Sequence, residues 1–346
     1  MKVAVYHSNS DVRIEERERP AAGPGEIVFR VRASGVCGSD VMEWYRKPKA
    51  PVVLGHEVAG EIVEVGPGLA GFVAGDRIVA THHVPCGECR YCRAGHEPVC
   101  DTLRSTTFDP GGFAEFVRLP PINVRLGTFA LPAQVSYDAA TFVEPLACVV
   151  RGQRIAGGAA GRSVAILGSG MSGLLHLLWA KAGDASRIVA TDVHPYRLAA
   201  ARSAGADEVV DAREGDVPGA VARALGGRRA DLVIVCTAAP AAVGEALRSV
   251  DRGGTILFFG IPAPGETHPF PLYDLWRDGI TIVHSYAGPP ADMRVALDAL
   301  AAGRIDVAPL ITHRLPLDRA AEGFRLVAEA QESLKVILEP GSYRFV

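Results

Sequence analysis

Cys86, Cys89, Cys92 and Cys100 stand in the segment PCGECRYCRAGHEPVC, a C-x2-C-x2-C-x7-C pattern in turn-rich sequence. Thiolates this close together can wrap a tetrahedral Zn²⁺ with no vacant position, the arrangement of a structural rather than a catalytic site. A ferredoxin run also opens C-x2-C-x2-C, but the x7 gap and the lack of a second cysteine cluster weigh against an iron–sulfur cluster. The remaining cysteines are Cys37, Cys148 and Cys236, and the odd total of 7 fits a disulfide framework poorly. Cys148 and Cys236 read as packing residues. His82, His83 and His96 flank the cysteine lobe and read as exposed loop histidines, while His176 reads as structural.

A second pattern, Gly168-Ser169-Gly170-Met171-Ser172-Gly173, lies between the apolar run SVAIL and the helical pattern MSGLLHLLWAKAG. Gly168 permits a tight turn, Gly170 lets a pyrophosphate approach backbone N–H groups at the helix start, and Gly173 lets helix and strand pack closely. Asp192 ends the next strand, where a carboxylate accepts hydrogen bonds from adenosine ribose hydroxyls. Together these predict a dinucleotide site. Asp192 would repel a 2′-phosphate, and Val193 and His194 offer no compensating arginine, so NAD is expected over NADP. Arg197 either meets the adenosine end or is a solvated helix arginine. Thr237, Gly260 and Ser285 end three successive strands, where ligands lie in open α/β sheets.

A third set is dispersed: Cys37 in VCGSD, His56-Glu57 in GHE, and Glu144-Pro145 in FVEPL. An open, reactive zinc site needs three protein ligands and one exchangeable position, which a cysteine, a histidine and a carboxylate would supply. Each residue also has a plain structural explanation, as a small buried cysteine, a core histidine or a helix-start acid. Spacing alone does not bring them together.

These residues must be positioned by the rest of the chain. At about 150 residues per domain, 346 residues predict two domains. The first ~120 residues read as short strands between Gly/Pro turns, with no helical period before Tyr137. From Arg162, apolar strands alternate with amphipathic helices, the pattern of a doubly wound parallel sheet covered on both faces. The last 60 residues are too few for a domain and are expected to pack back onto the first part. A formal charge of -3 argues against a basic nucleic-acid or membrane-binding surface. No run of ~18 apolar residues predicts a membrane span, and the start MKVAVYHSNS lacks a signal's apolar region, so a cytoplasmic protein is expected.

VCGSD, GHEVAGEIVEVG, GDRI, the cysteine lobe, GGFAEF, EPLAC, GSGMSG and GRIDVAPLITH, in that order, closely resemble the zinc-containing medium-chain alcohol dehydrogenase family. Its sorbitol (polyol) and threonine dehydrogenase branch matches best, nearly end to end. The resemblance implies an α/β protein with a GroES-like β-barrel catalytic domain over 1–150, carrying a structural zinc lobe at 86–100. A Rossmann NAD-binding domain over 151–286 and a C-terminal return over 287–346 that completes the first domain follow from it. It implies catalytic zinc on Cys37 and His56, with Glu57 and Glu144 as the carboxylates, either of which is the direct ligand. It also places structural zinc on Cys86, Cys89, Cys92 and Cys100, giving two zinc ions per chain, and implies a homodimer or homotetramer.

The reaction so implied is reversible oxidation of a secondary alcohol, such as a polyol, cyclitol or sugar alcohol, to a ketone, with hydride transfer to NAD. L-Threonine or a simple secondary alcohol is the alternative substrate. A dinucleotide-binding redox sensor without turnover is a more distant alternative. Ser39 is implied as the group that takes the alcohol proton. The branch usually has histidine three positions later, where this chain has Met42, so the proton leaves by another path or the pocket is more apolar. Trp44, Tyr45, Cys148 and Tyr286 are further pocket candidates.

Overall fold

A computed structural model of the chain describes residues 1–260 and 262–341. Its contacts divide the chain into two compact units, Met1–Ala147 with Ala287–Val346, and Cys148–Tyr286.

In the first unit, strand Ile27–Val36, with eight of its ten residues buried, lies inside a seven-stranded sheet. On one side it pairs with Glu57–Val65, followed by Arg77–Ala80 and Thr128–Ala130. On the other it pairs with Lys335–Glu339, followed by Ile311–Pro316, while Phe116–Leu119 also pairs with it. A small sheet of Asp11–Glu16, Lys2–Ser8 and Val52–Val53 closes over the same core. Phe324 of helix Ala320–Glu329 sits in that core, with the rings of Tyr6 and Phe113 each 5.5 Å away. The C-terminal return therefore supplies two strands and a core helix to this unit.

The register of three adjacent strands has a direct consequence for chemistry. Gly35 lies opposite Glu57, and Val36 opposite Val336. Cys37, Glu57 and Lys335 consequently gather at one end of the sheet although they are far apart in sequence. Short helical turns also occur where the sequence pattern predicted none: Glu43–Arg46, Arg90–Arg93, Asp101–Ser105 and Pro121–Gly127. Elements of four to seven residues are too short to display a helical period.

The second unit contains six parallel strands: β1 (Ser163–Leu167), β2 (Arg187–Asp192), β3 (Glu208–Asp211), β4 (Ala230–Val235), β5 (Val250–Phe258) and β6 (Thr281–His284). Their order is β3-β2-β1-β4-β5-β6, the doubly wound arrangement, whose direction of winding reverses between β1 and β4. Strands β1 and β4 are almost wholly buried, which explains their continuous apolar sequence. Asp231 fastens their starts together by accepting hydrogen bonds from the Ser163 N–H at 2.8 Å and Ser163 Oγ at 2.7 Å. No helix among the described residues is long and apolar enough to cross a membrane.

Candidate metal centres and dinucleotide site

The cysteine lobe is built locally. Sulfur–sulfur distances are 3.5 Å for Cys89–Cys92, 3.6 Å for Cys86–Cys100 and 3.9 Å for Cys86–Cys92. A tetrahedron with Zn–S bonds of about 2.3 Å separates its sulfurs by about 3.8 Å, so the four side chains fit that ion. Backbone N–H groups of Glu88 and Cys89 point at Cys86 Sγ, at 3.4 and 3.3 Å, and lower its pKa. Burial alone would raise the Cys100 thiol, but the N–H groups of Cys86 and Leu103 and the neighbouring thiols bring it down to about 6. Cys86 and Cys100 are thus the thiols poised as thiolate, whereas burial and the adjacent Cys89 thiol push Cys92 up to about 12.

The second centre forms at the sheet end. Sγ of Cys37, a ring nitrogen of His56 and a carboxylate oxygen of Glu57 lie within 4.8 Å of one another. Cys37 caps the turn Gly38–Val41: Ser39 N–H donates to Cys37 Sγ at 3.4 Å, and Cys37 N–H donates to Asp40 Oδ2 at 3.1 Å. Asp40 is fully buried, with His56 Nδ1 3.5 Å and Arg46 Nη2 3.4 Å from its carboxylate. Burial opposes its charge, but His56, Arg46 and the Cys37 N–H hold its carboxyl below the usual range. Asp40 thus orients the imidazole from behind, as carboxylates do for metal-binding histidines.

Glu57 carries a feature that sequence reasoning missed. It is buried and forms an ion pair with the equally buried Lys335, whose ammonium also stands 5.0 Å from the Phe142 ring centroid. Gly35 makes room for that pair, since a Cβ there would overlap both Glu57 Oε2 and Lys335 Nζ. A lysine directly before the apolar run VIL of the closing strand was the available signal.

Glu144 lies in the first turn of helix Val143–Ile155 and is buried. It groups with His82 and His83, all three offering donor atoms within 4.8 Å of one another. The His82 ring is 4.8 Å from His56 and 3.6 Å from His83, centroid to centroid. The reading of His82 and His83 as exposed loop residues is therefore incorrect: the end of buried strand Arg77–Ala80 carries them inward, next to His56. Burial keeps both neutral, pushing His83 down to about 3 and His82 well below its ordinary value; nearby cations add to the effect. Neutral imidazole is the form that ligates metal or donates and accepts hydrogen bonds. His96 remains apart, at the N-cap of the turn Glu97–Val99.

Ser39 is also held in place. Arg46, at the end of helix Glu43–Arg46, donates from Nη2 to Ser39 Oγ at 3.0 Å and from Nε to Ser39 O at 2.9 Å. Met42 is the N-cap of that helix and makes no side-chain capping bond.

In the second unit, the loop after β1 runs into helix Met171–Ala182. Gly168 has φ of +96°, a conformation glycine adopts without strain, and its Cα faces Thr237 at the end of β4. Gly170 is the helix N-cap, with no side-chain cap, so the first-turn N–H groups, those of Met171, Ser172 and Gly173, are open to an anion. A Cβ on Gly170 would meet only the Arg197 guanidinium, at 3.9 Å, whereas one on Gly173 would overlap the Gly168 carbonyl. Asp192 accepts from Ser169 N–H at 2.8 Å and His194 N–H at 2.9 Å, and Arg197 stands 3.8 Å from it. Arg197 is thus drawn to the glycine loop, with only 20% of its side chain exposed. Gly260 packs against the Thr237 backbone, and Ser285 Oγ accepts from Arg151 Nη1 at 3.2 Å. The loop, the acid and the open helix end fit a dinucleotide pyrophosphate and ribose. Cys148 and Tyr286 are the first and last residues of the unit, and Cys236 follows β4, its thiol pushed up by burial. His176 is buried on the loop's helix, where Gln153 Nε2 lies 3.2 Å from its Nδ1.

Comparison with known proteins agrees with this architecture. The family profile described as alcohol dehydrogenase GroES-like domain matches residues 23–126, and that described as zinc-binding dehydrogenase matches residues 173–302. The sorbitol dehydrogenase of Bacillus subtilis is 30% identical, covering 98% of this chain and 97% of its own. The L-threonine 3-dehydrogenase of Bacillus velezensis is 33% identical, covering 98% and 99%. A zinc-binding dehydrogenase of Sinorhizobium meliloti, solved with NADP, superposes with a TM-score of 0.89 at 29% identity, covering 98% and 99% of the two chains. Zinc and a nicotinamide dinucleotide are the cofactors that go with this kinship. The chain belongs to the zinc-containing medium-chain alcohol dehydrogenase family, near its polyol and threonine dehydrogenases.

Proposed function

We propose that the protein oxidises a secondary alcohol carrying further polar groups to a ketone, reversibly, with NAD as hydride acceptor. The convergence of Cys37, His56 and Glu57 donors beside Ser39 carries this reading. Zinc bound there supplies Lewis-acid polarisation of the alcohol oxygen, and the dinucleotide accepts the hydride.

The chain's own residues do the rest. Cys37 and His56 hold the ion, and Asp40 keeps the imidazole aimed. Lys335 neutralises Glu57, so moving Glu57 onto a metal would leave a buried ammonium unpaired. That cost weighs against Glu57 as a permanent ligand and makes it an alternate; Glu144, the other carboxylate of the family pattern, is grouped with His82 and His83, and the His82 ring adjoins His56. Ser39 Oγ accepts the alcohol proton on the lone pair that Arg46 leaves free, and passes its own hydrogen to water. Arg46 fixes this hydroxyl but takes no proton, because guanidinium has no acceptor. On the dinucleotide, both oxygens of Asp192 retain acceptor capacity for ribose hydroxyls, and its charge disfavours a 2′-phosphate, which supports NAD.

A panel of polyols, cyclitols, L-threonine and simple secondary alcohols, run with NAD and NADP on zinc-loaded protein, tests the reading. Turnover with NAD on an alcohol bearing further polar groups is expected. Turnover confined to simple apolar alcohols, or faster with NADP throughout, contradicts it.

A further inference from the structure

The group bonded to Ser39 is a guanidinium, and a neutral polyol has no need of one. Arg46 lies with 13% of its side chain exposed, donates Nε and Nη2 to Ser39, and stacks 4.5 Å above the Tyr45 ring. Its Nη1 makes no hydrogen bond among the described residues, so one face of a rigid fork remains unengaged beside the hydroxyl proposed to handle the alcohol proton.

Asp40 offsets this charge only in part. Its 3.4 Å contact with Arg46 is long, and the same carboxylate faces His56 and receives the Cys37 N–H. A second cation is close: Lys49 Nζ sits 4.1 Å from the Tyr45 ring centroid. The acids nearby have other engagements. Glu43 accepts from the Asn9 N–H at 3.1 Å, and Glu144 lies with His82 and His83. Arg46 and Lys49 therefore bring two positive charges to this side of Ser39, of which Asp40 faces only the first.

We propose that Arg46, supported by Lys49, selects alcohols that carry an anionic group, a carboxylate or a phosphate, close to the reacting carbon. The inference rests on the dehydrogenase reading above and names the substrate class within it. A planar guanidinium matches the paired oxygens of either group, and the contact is charge-assisted.

Matched pairs test this: sorbitol against its terminal phosphate monoester, and propylene glycol against lactate, each on zinc-loaded protein with NAD. The anionic member of at least one pair should win in kcat/KM by about tenfold or more, the scale of one charge-assisted contact. The pair that shows it distinguishes phosphate from carboxylate. Arg46→Met should abolish the advantage mainly through KM, and Arg46→Lys should restore part of it, with zinc content checked in each. Should Arg46→Met fail to fold, Lys49→Gln and competitive inhibition of the wild type by inorganic phosphate or acetate read the same field. Inhibition should be present in the wild type and weaker in Lys49→Gln. Preference for the neutral member in both pairs, or a ratio unchanged in Arg46→Met and Lys49→Gln, overturns the proposal while leaving the dehydrogenase reading intact. Absence of turnover on any alcohol, by protein that binds zinc and NADH, overturns both.

Discussion

Lys335 and Glu57 meet in the interior of the first unit, and neither can be changed alone without leaving a buried charge unpaired. Lys335→Met should therefore cost about 3–5 kcal/mol, read as a lower urea midpoint, and Glu57→Gln in the same chain should recover part of the loss. A midpoint unchanged in Lys335→Met would show that the pair does not form in solution. The proton path has an equally local test. Ser39→Ala should lower kcat by about 10²–10⁴-fold with zinc content unchanged; an unaltered kcat would remove Ser39 from the mechanism. These residues also mark what a sequence conceals. Cys86, Cys89, Cys92 and Cys100 are legible because their spacing keeps them in one loop. Lys335 is not, because only the strand register brings it to Glu57 across a separation of 278 residues. His82 and His83 were misread because neighbouring turn residues suggest a surface, whereas the preceding buried strand pulls them inward.

At the scale of the element, the glycine loop makes two contrasting demands. Gly170 meets only the tip of Arg197, at ordinary van der Waals distance, and Gly173 faces a backbone carbonyl. Gly170→Val should fold normally and retain zinc but bind NADH weakly, because its side chain fills the approach to the helix N-terminus. Gly173→Val should instead lower the melting temperature, by forcing helix Met171–Ala182 away from β1. NADH titration beside thermal unfolding separates the two; equal melting losses would refute the assignment. The strand starts offer a pH test. Burial pushes the Asp231 carboxyl up, but its hydrogen bonds from Ser163, with Arg228 and Arg162, hold it below the usual value. The associated stability is present above about pH 4, the unfolded aspartate value, and is lost as pH falls through the lower folded value. Asp231→Ala should cost about 1–3 kcal/mol at neutral pH, and the gap to wild type should narrow below about pH 4. A gap independent of pH would mean that the charge is not what fastens β1 to β4. The sheet itself was legible, since fully apolar strands alternating with helices admit few other arrangements. The short turns that carry Arg46 and the cysteines were not, because local caps and contacts rather than periodicity create them.

For the whole molecule, the change from short strands with turns to alternating strands and helices disclosed a mixed α/β fold with two kinds of sheet. The GroES-like and Rossmann-like assignment rests on motifs in combination, and the family comparison bears it out. What composition could not disclose is how the last strands enter the first unit's sheet, because strand pairing is a non-local choice among several apolar edges. The central claim is that one unit carries a reactive zinc and the other a dinucleotide, and that turnover needs the first without dinucleotide binding depending on it. Metal analysis, NADH titration and alcohol turnover on wild type and Cys37→Ser test it together. The wild type should hold about two zinc ions per chain, one in the cysteine lobe and one in the open site, and turn over an alcohol with NAD. Cys37→Ser should lose one ion and the turnover while keeping its NADH affinity. Full turnover by Cys37→Ser, or no turnover by zinc-loaded wild type across the alcohol panel, would contradict the account.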